Sequence, residues 1–370
     1  MTRSLRWAIV VTAVLALVVT PRVVRALPVP GAHDDTSAAS LLQRMRASWS
    51  HPYAGYVESA GALALPASAQ FESVAALLGA RTQLRVWWRA ADDWRVDTLS
   101  PTGEQSTRTS PSGVWVWDFE DNRVTRTVAE RPGEVRLPRD ADILPPQLAA
   151  RLLADASPAE VSRLAAVRVA GRVADGLRLR PSAALSSIGR VDVWADRASG
   201  VPVRVDVFGR TAAVPAMSST FLDFAATAPP VTDIQFQPPP GSRLRTGTRP
   251  DVVGIVRRFA PAEPPEELLG MPRTAAPVGL EAVGQYGHGV TQLVVAALPP
   301  RLARSLRSQL RLATGVAALP EGLEVAAGPV ALLLTERAAT GQDWLLTGTV
   351  TPEGLVRAAT ELAASPRSSP

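Results

Sequence analysis

Between residues 84 and 128 the chain breaks into short alternating runs, and five of its nine tryptophans fall there: Trp87, Trp88, Trp94, Trp115 and Trp117. In 84–90 one alternate set is Leu84, Val86 and Trp88, and the other is Arg85, Trp87 and Arg89. In 114–119 the sets are Val114, Val116 and Asp118 against Trp115, Trp117 and Phe119. Successive side chains of a strand point to opposite faces, so a period of two with one more apolar side marks a half-buried antiparallel strand. Ala91-Asp92-Asp93, Pro101-Thr102-Gly103, Pro111-Ser112-Gly113 and Glu120-Asp121-Asn122 all suit tight turns. The stretch predicts an up-and-down β-meander with a tryptophan-rich inner face, and the rest of the chain must be fitted around it.

Upstream, Asp34-Asp35-Thr36-Ser37 can cap a helix running to about residue 50, with Leu41, Leu42, Met45 and Trp49 on one face. A strand is expected at 53–65 and a short helix at 71–78. Downstream, Pro145 and Pro146 open a helix over 145–154, and 158–164 reads as a further helical turn or two. Strand patterns return at 166–173 and 176–181, in a hairpin of 189–195 with 201–208, and at 219–224. Helices followed by antiparallel strands give an α+β domain over 33–242 with one large curved sheet. Residues 243–277 read as a Pro-rich linker with one short strand at 252–259. A second, small α+β domain over 278–364 carries four arginines at helical spacing, Arg301, Arg304, Arg307 and Arg311, and 365–370 reads as a disordered tail.

Charge narrows the function classes. The formal net charge is +5, and lysine is absent, so every basic side chain is arginine. Four arginines lie in the acid-free first 26 residues; without them 35 arginines face 34 acids. No basic block remains for a phosphate backbone, which excludes a nucleic-acid binder. Those first residues have the layout of an export signal: Arg3 and Arg6, an apolar run over 7–19, then Val24-Arg25-Ala26 as a cleavage site. An uncleaved anchor is the alternative. With no cysteine, a lipidated-cysteine anchor, disulfides and thiolate metal sites are excluded. An exported protein of a bacterial envelope is expected.

Reactive groups are scarce. The three histidines, His33, His51 and His288, lack a second histidine at metal-ligand spacing. No G-x-S-x-G elbow, P-loop or G-x-G-x-x-G occurs. Asp118, Glu120 and Asp121, like Asp92-Asp93, read as solvated turns rather than paired catalytic carboxylates. No enzyme, metal or cofactor is expected. The helix at 37–50 set against the aromatic sheet suggests instead a space for an apolar ligand. Its expected lining is Leu42, Met45, Trp49, Leu84, Val86, Trp88, Trp94, Val96, Trp115, Trp117 and Phe119.

The runs LLQRMRASWSHPYAGYVES, LRVWWRAADDWRVD and GVWVWDFEDNRVTR, with GLRLRP, VDVWADRASGVPVRVDVFG and FQPPPG further on, resemble LolA/RseB-like envelope proteins. The resemblance covers about residues 37–242. It implies a half-open antiparallel barrel covered by helices, with lipid or the acyl chains of lipoproteins inside. The C-terminal stretch from YGHGVTQLVVAALP onward is similar to the small domain that follows the barrel in RseB-type regulators. That likeness implies a membrane-bound anti-sigma factor as partner. Two alternatives stand beside this regulator: a lipoprotein-carrier-type shuttle, and an interaction scaffold that holds no ligand.

Overall fold

The computed structural model describes residues 36–61, 79–100, 103–128, 139–247, 262–274, 283–312, 315–336 and 342–364. The export or anchor segment, the helix expected at 71–78, the strand expected at 252–259 and the tail lie outside these residues. Helix α1, Ala38–Ala47, starts where the Ser37 hydroxyl accepts the Ser40 amide at 3.1 Å, satisfying an otherwise orphaned donor. Strand β1, Tyr53–Gly61, leads into the expected meander: β2 Arg81–Ala90, β3 Asp93–Leu99, β4 Glu104–Ser110, β5 Gly113–Asp118 and β6 Arg123–Thr127. A 3₁₀ turn, Asp140–Ile143, runs into α2, Pro145–Leu153. Two prolines there need no hydrogen-bond acceptor at the helix start.

A second meander follows: β7 Val161–Val169, β8 Arg172–Leu179, β9 Ile188–Asp196, β10 Pro202–Gly209 and β11 Met217–Ala225. Short helix α3, Val231–Ile234, and β12, Arg243–Thr246, complete the unit. All twelve strands form one sheet of order β12-β6-β5-β4-β3-β2-β1-β11-β10-β9-β8-β7. The two meanders are joined by the antiparallel pairing of β1 with β11. Every pairing is antiparallel except β12 with β6, and the sheet does not close. At one end it curls, so that β7 approaches β11 beneath α1. This is an α+β fold built on a half-open antiparallel barrel.

Two segments differ from the sequence expectation. At 158–164 only the 3₁₀ turn Pro158–Glu160 is helical, because the period-two pattern of Val161–Val169 takes over as β7. Residues 243–246, expected in the linker, form β12 and extend the large sheet.

Beyond a small hairpin, β13 Glu267–Leu268 with β14 Met271–Pro272, lies a six-stranded antiparallel sheet. Its strands are β15 Val283–His288, β16 Thr291–Leu298, β17 Val316–Leu319, β18 Gly322–Ala327, β19 Val330–Thr335 and β20 Asp343–Gly348. Helix α5, Pro352–Ala364, packs Leu355, Ala358 and Leu362 on one face with Leu293, Val295 and Leu346. Helix α4, Pro300–Leu312, packs Ala303 and Leu310 on the other, with Leu323 and Val325. Of the four arginines on α4, Arg307 turns inward to Asp343 at 2.6 Å and is structural. Among the described residues no helix is long and apolar enough to cross a membrane.

Candidate functional site

Register sorts the large sheet into two faces. Trp88 lies opposite Trp94, Val86 opposite Val96, Tyr53 opposite Trp88 and Val57 opposite Leu84. These inner-face side chains are buried in the main core with Leu41, Leu42 and Met45 of α1. An aromatic ladder crosses four strands. Trp94 stacks on Trp88 at 5.5 Å, Trp88 on Tyr53 at 5.8 Å, and Tyr53 meets the edge of Phe221, which leans on Phe224 at 4.9 Å. Gly55 makes the Tyr53 side of this ladder possible: a Cβ there would come within 2.2 Å of the Asp223 carbonyl and 2.9 Å of the Phe221 ring.

Polar contacts fix the cover at its rim. Arg46 of α1 donates to the carbonyls of Leu153, Ala154 and Ala156 at 2.8–2.9 Å, closing the C-terminal end of α2 with a cation where the helix dipole favours one. Arg44 reaches Asp175 at 3.0 Å. Asp175 is fully buried and also holds Arg197 at 2.6 Å and Arg163 at 3.6 Å, so one carboxylate joins α1, β7 and the β9–β10 turn. The Ser48 hydroxyl donates to the Gly200 carbonyl at 3.0 Å. Inside, Ser59 Oγ, Thr109 Oγ1 and Trp49 Nε1 are enclosed without a hydrogen-bond partner, an arrangement that costs free energy unless something polar enters. Asp140, in the 3₁₀ turn that leads into α2, accepts from the Thr98 hydroxyl; burial holds its carboxyl above the ordinary 3.8, and the Thr98 bond offsets only part of that.

The eleven residues expected to line a ligand space divide by register. Leu42, Met45, Leu84, Val86, Trp88, Trp94 and Val96 come together on the inner side, fully packed, with Trp49 half-buried against them. Trp115, Trp117 and Phe119 point the other way. Trp115 lies opposite Arg108 and Trp117 opposite Ser106, whose neighbours Arg95 and Asp97 share the outer face. The inner side of β5 carries Val114, Val116 and Asp118, flanked by Thr107, Thr109 and Thr125. Between α3 and the β4–β5 hairpin the outer face holds an open cleft of about 430 Å³ lined by Arg108, Trp115, Gln235 and Phe236.

The outer face also holds a feature that alternation alone did not reveal. The triplet Arg-Val-Asp recurs at 95–97, 190–192 and 204–206. Each valine is fully buried inward, and each aspartate is buried outward. Arg95 covers Asp97 at 2.7 Å, Arg204 covers Asp206 at 2.7 Å, and Asp192 is clamped by Arg178 at 2.6 Å. Guanidinium planes on this face lie over aromatic rings: Arg95 over Trp87 at 5.0 Å, Arg204 over Trp194 at 4.9 Å, and Arg190, 3.7 Å from Asp192, over Phe208 at 3.6 Å. The threefold recurrence of the triplet was the available signal.

The two sheets meet at several points. Residue 186 bridges to Val350, with the Ser187 amide donating to Thr349 at 3.0 Å and the Thr351 amide to Leu185 at 2.9 Å. The Ser187 hydroxyl donates to the Pro329 carbonyl. At the tip of the β15–β16 hairpin the Gly289 amide donates to Asp155 at 3.0 Å, and Val290 enters the large core itself.

No family model and no curated protein matches the sequence. In structure the chain is similar to MucB and to LolA-superfamily proteins. The crystal structure of MucB in complex with MucA(peri) is 16% identical, covers 87% of this chain and 97% of its own, and has a TM-score of 0.48. The MucA/MucB complex of Pseudomonas aeruginosa is 18% identical, covers 87% and 96%, and scores 0.47. A LolA superfamily protein from Nitrosomonas europaea is 10% identical, covers 54% and 98%, and scores 0.24.

Proposed function

We propose that this chain is an exported binding protein of the cell envelope that takes a lipid or acyl chain, including that of a lipoprotein, between the inner face of the half-barrel and its helical cover. The observation that carries this reading is the joint between cover and sheet. A continuous aromatic ladder lies under helices tied down by rim arginines, and polar atoms on the inner side of the sheet are enclosed without partners. Lifting α1 and α2 exposes Leu42, Met45, Trp49, Leu84, Val86, Trp88, Trp94 and Val96 to an acyl chain, while the orphaned hydroxyls and indole N–H suit its polar head. Uptake then reaches the C-terminal sheet through Val290, which sits in the same core. A membrane-bound anti-sigma factor, the partner implied by the sequence resemblance, would read that change.

Uptake of a fluorescent fatty acid by the full chain, with mass spectrometry of co-purified lipids, tests the groove. Val116→Asp places a charge on the inner side of β5 outside the packed core and should abolish uptake. Trp117→Asp, one residue along on the outer face, should leave it intact. Unchanged uptake in a folded Val116→Asp protein sinks the groove. The full burial of Leu41, Leu42, Met45, Leu84 and Val96 favours a second reading, a scaffold filled by its own side chains; a reproducibly lipid-free protein that takes up no probe would select it.

A further inference from the structure

The two ends of the large sheet are treated differently. Strand β7 is tucked under α1 and curls toward β11. Strand β12 ends the sheet with all four residues exposed, and among the described residues no strand lies beyond it. Its odd-numbered side donates to β6: the Arg243 amide to Asn122 at 2.9 Å and the Gly247 amide to Arg126 at 2.8 Å. By alternation the backbone groups of Leu244 and Thr246 point away from the sheet, which is the template a further strand needs.

The side chains at this edge form two unlike faces. Leu244 is in register with Val124, and Val124 with Trp117, so all three share the outer face. Phe119 meets Trp117 edge-on at 5.6 Å. Leu244 is 62% exposed, an apolar residue on an end strand, where proteins ordinarily place charge to discourage pairing. On the opposite face Arg243 and Arg245 are in register with Arg123 and Thr125. We propose that the β12 edge is a docking surface for an extended segment of a partner protein that adds as a strand, with apolar residues toward Leu244 and acidic residues toward Arg243 and Arg245.

The arginines choose the occupant. A second copy pairing antiparallel about Leu244 would set Arg243 of each chain directly opposite Arg245 of the other, and like charges directly opposite are destabilising. An alternating acidic and apolar strand meets opposite charge at both positions and apolar surface between them. The proposal concerns the open edge of the sheet rather than the space under the helical cover, and it stands or falls without the lipid groove.

The test is fluorescence anisotropy of the full chain with a labelled hexapeptide of alternating Glu and Val. Saturable binding is expected, weakened about tenfold or more by the double change Arg243→Glu with Arg245→Glu, as loss of complementary charge requires. Thr246→Pro removes one outward amide donor while leaving both arginines and Leu244 in place, and it should weaken binding as well. A peptide methylated on alternate amide nitrogens should bind poorly at unchanged charge. Absence of saturable binding overturns the proposal. Equal binding of the methylated and plain peptides, or to Thr246→Pro and the parent protein, overturns strand addition. Sedimentation showing a dimer abolished by Thr246→Pro would overturn the choice of a foreign partner.

Discussion

The inner and outer faces of the large sheet come from the same strands, and both are buried, by opposite means. Inside, Leu84, Val86, Trp88, Trp94 and Val96 are covered by α1 and by one another. Outside, Asp97, Asp192 and Asp206 are covered by the arginines beside them, whose planes also lie on Trp87, Phe208 and Trp194. Arginine suits that role because its guanidinium is flat, weakly hydrated and carried on an apolar stem. A charged face is therefore not by default a solvated face. One alternate set makes the core, and the other makes its own lid.

If that contrast is right, truncation should cost more inside than outside. Trp88→Ala leaves a void in the ladder between Tyr53 and Trp94 and should destabilise by about 3–5 kcal/mol. Asp206→Ala strips Arg204 and the Ser218 hydroxyl of their shared acceptor. Arg204 is one-third exposed and can turn to water, so the loss should be about 1–3 kcal/mol. Urea unfolding of both variants measures the difference. An outer-face cost equal to the inner one would mean that the arginines are locked in place and that the two faces are equivalent.

Sequence alone reached one of these faces more fully than the other. The period of two named the inner set on β2 and β3 correctly, and the α1 stripe of Leu41, Leu42 and Met45 landed on it. It failed to carry the face across from β3 to β5. Each strand's alternation is read separately, and the phase between strands depends on turn lengths and pairing register. The greasier alternate set of β5, Trp115 with Trp117 and Phe119, is the outer one, opposite Arg108 and Ser106. Asp175 was illegible for another reason. Two of its arginine partners, Arg163 and Arg197, come from the neighbours of β8, but Arg44 is brought in from α1, more than 100 residues away, and no local pattern records that contact.

Acid should act on Asp196, on the outer side, and Asp140, on the inner side, in opposite directions. Burial pushes Asp196, next to the outer pairs, upward, but hydrogen bonds from Arg172 and Ser199 outweigh it, and its carboxyl sits below the ordinary 3.8. Its stabilising contribution is complete above that ordinary value and is lost as pH falls through the lower, folded one. Asp140, on the inner side, sits above 3.8 because it is buried. The folded chain takes up that proton more readily than the unfolded chain, so its unfavourable contribution at neutral pH is relieved as pH falls through the raised value. Carbon-detected NMR titration should find Asp140 protonating before Asp196 on acidification. The reverse order would remove the electrostatic half of the contrast.

The smallest effect bears most directly on function. Ser37→Ala removes the hydroxyl that accepts the Ser40 amide at 3.1 Å and should weaken α1 by about 1 kcal/mol. What matters is where that loss appears. If the cover opens as its own unit, amide hydrogen exchange should quicken in α1 while β2 and β3, whose amides are paired within the sheet, keep their protection. A lid that opens alone is what entry of an acyl chain requires, since the aromatic ladder must be uncovered without being dismantled. If exchange instead quickens equally in α1, β2 and β3, cover and sheet unfold together. The inner face would then be a core in the ordinary sense, and the scaffold reading would displace the groove.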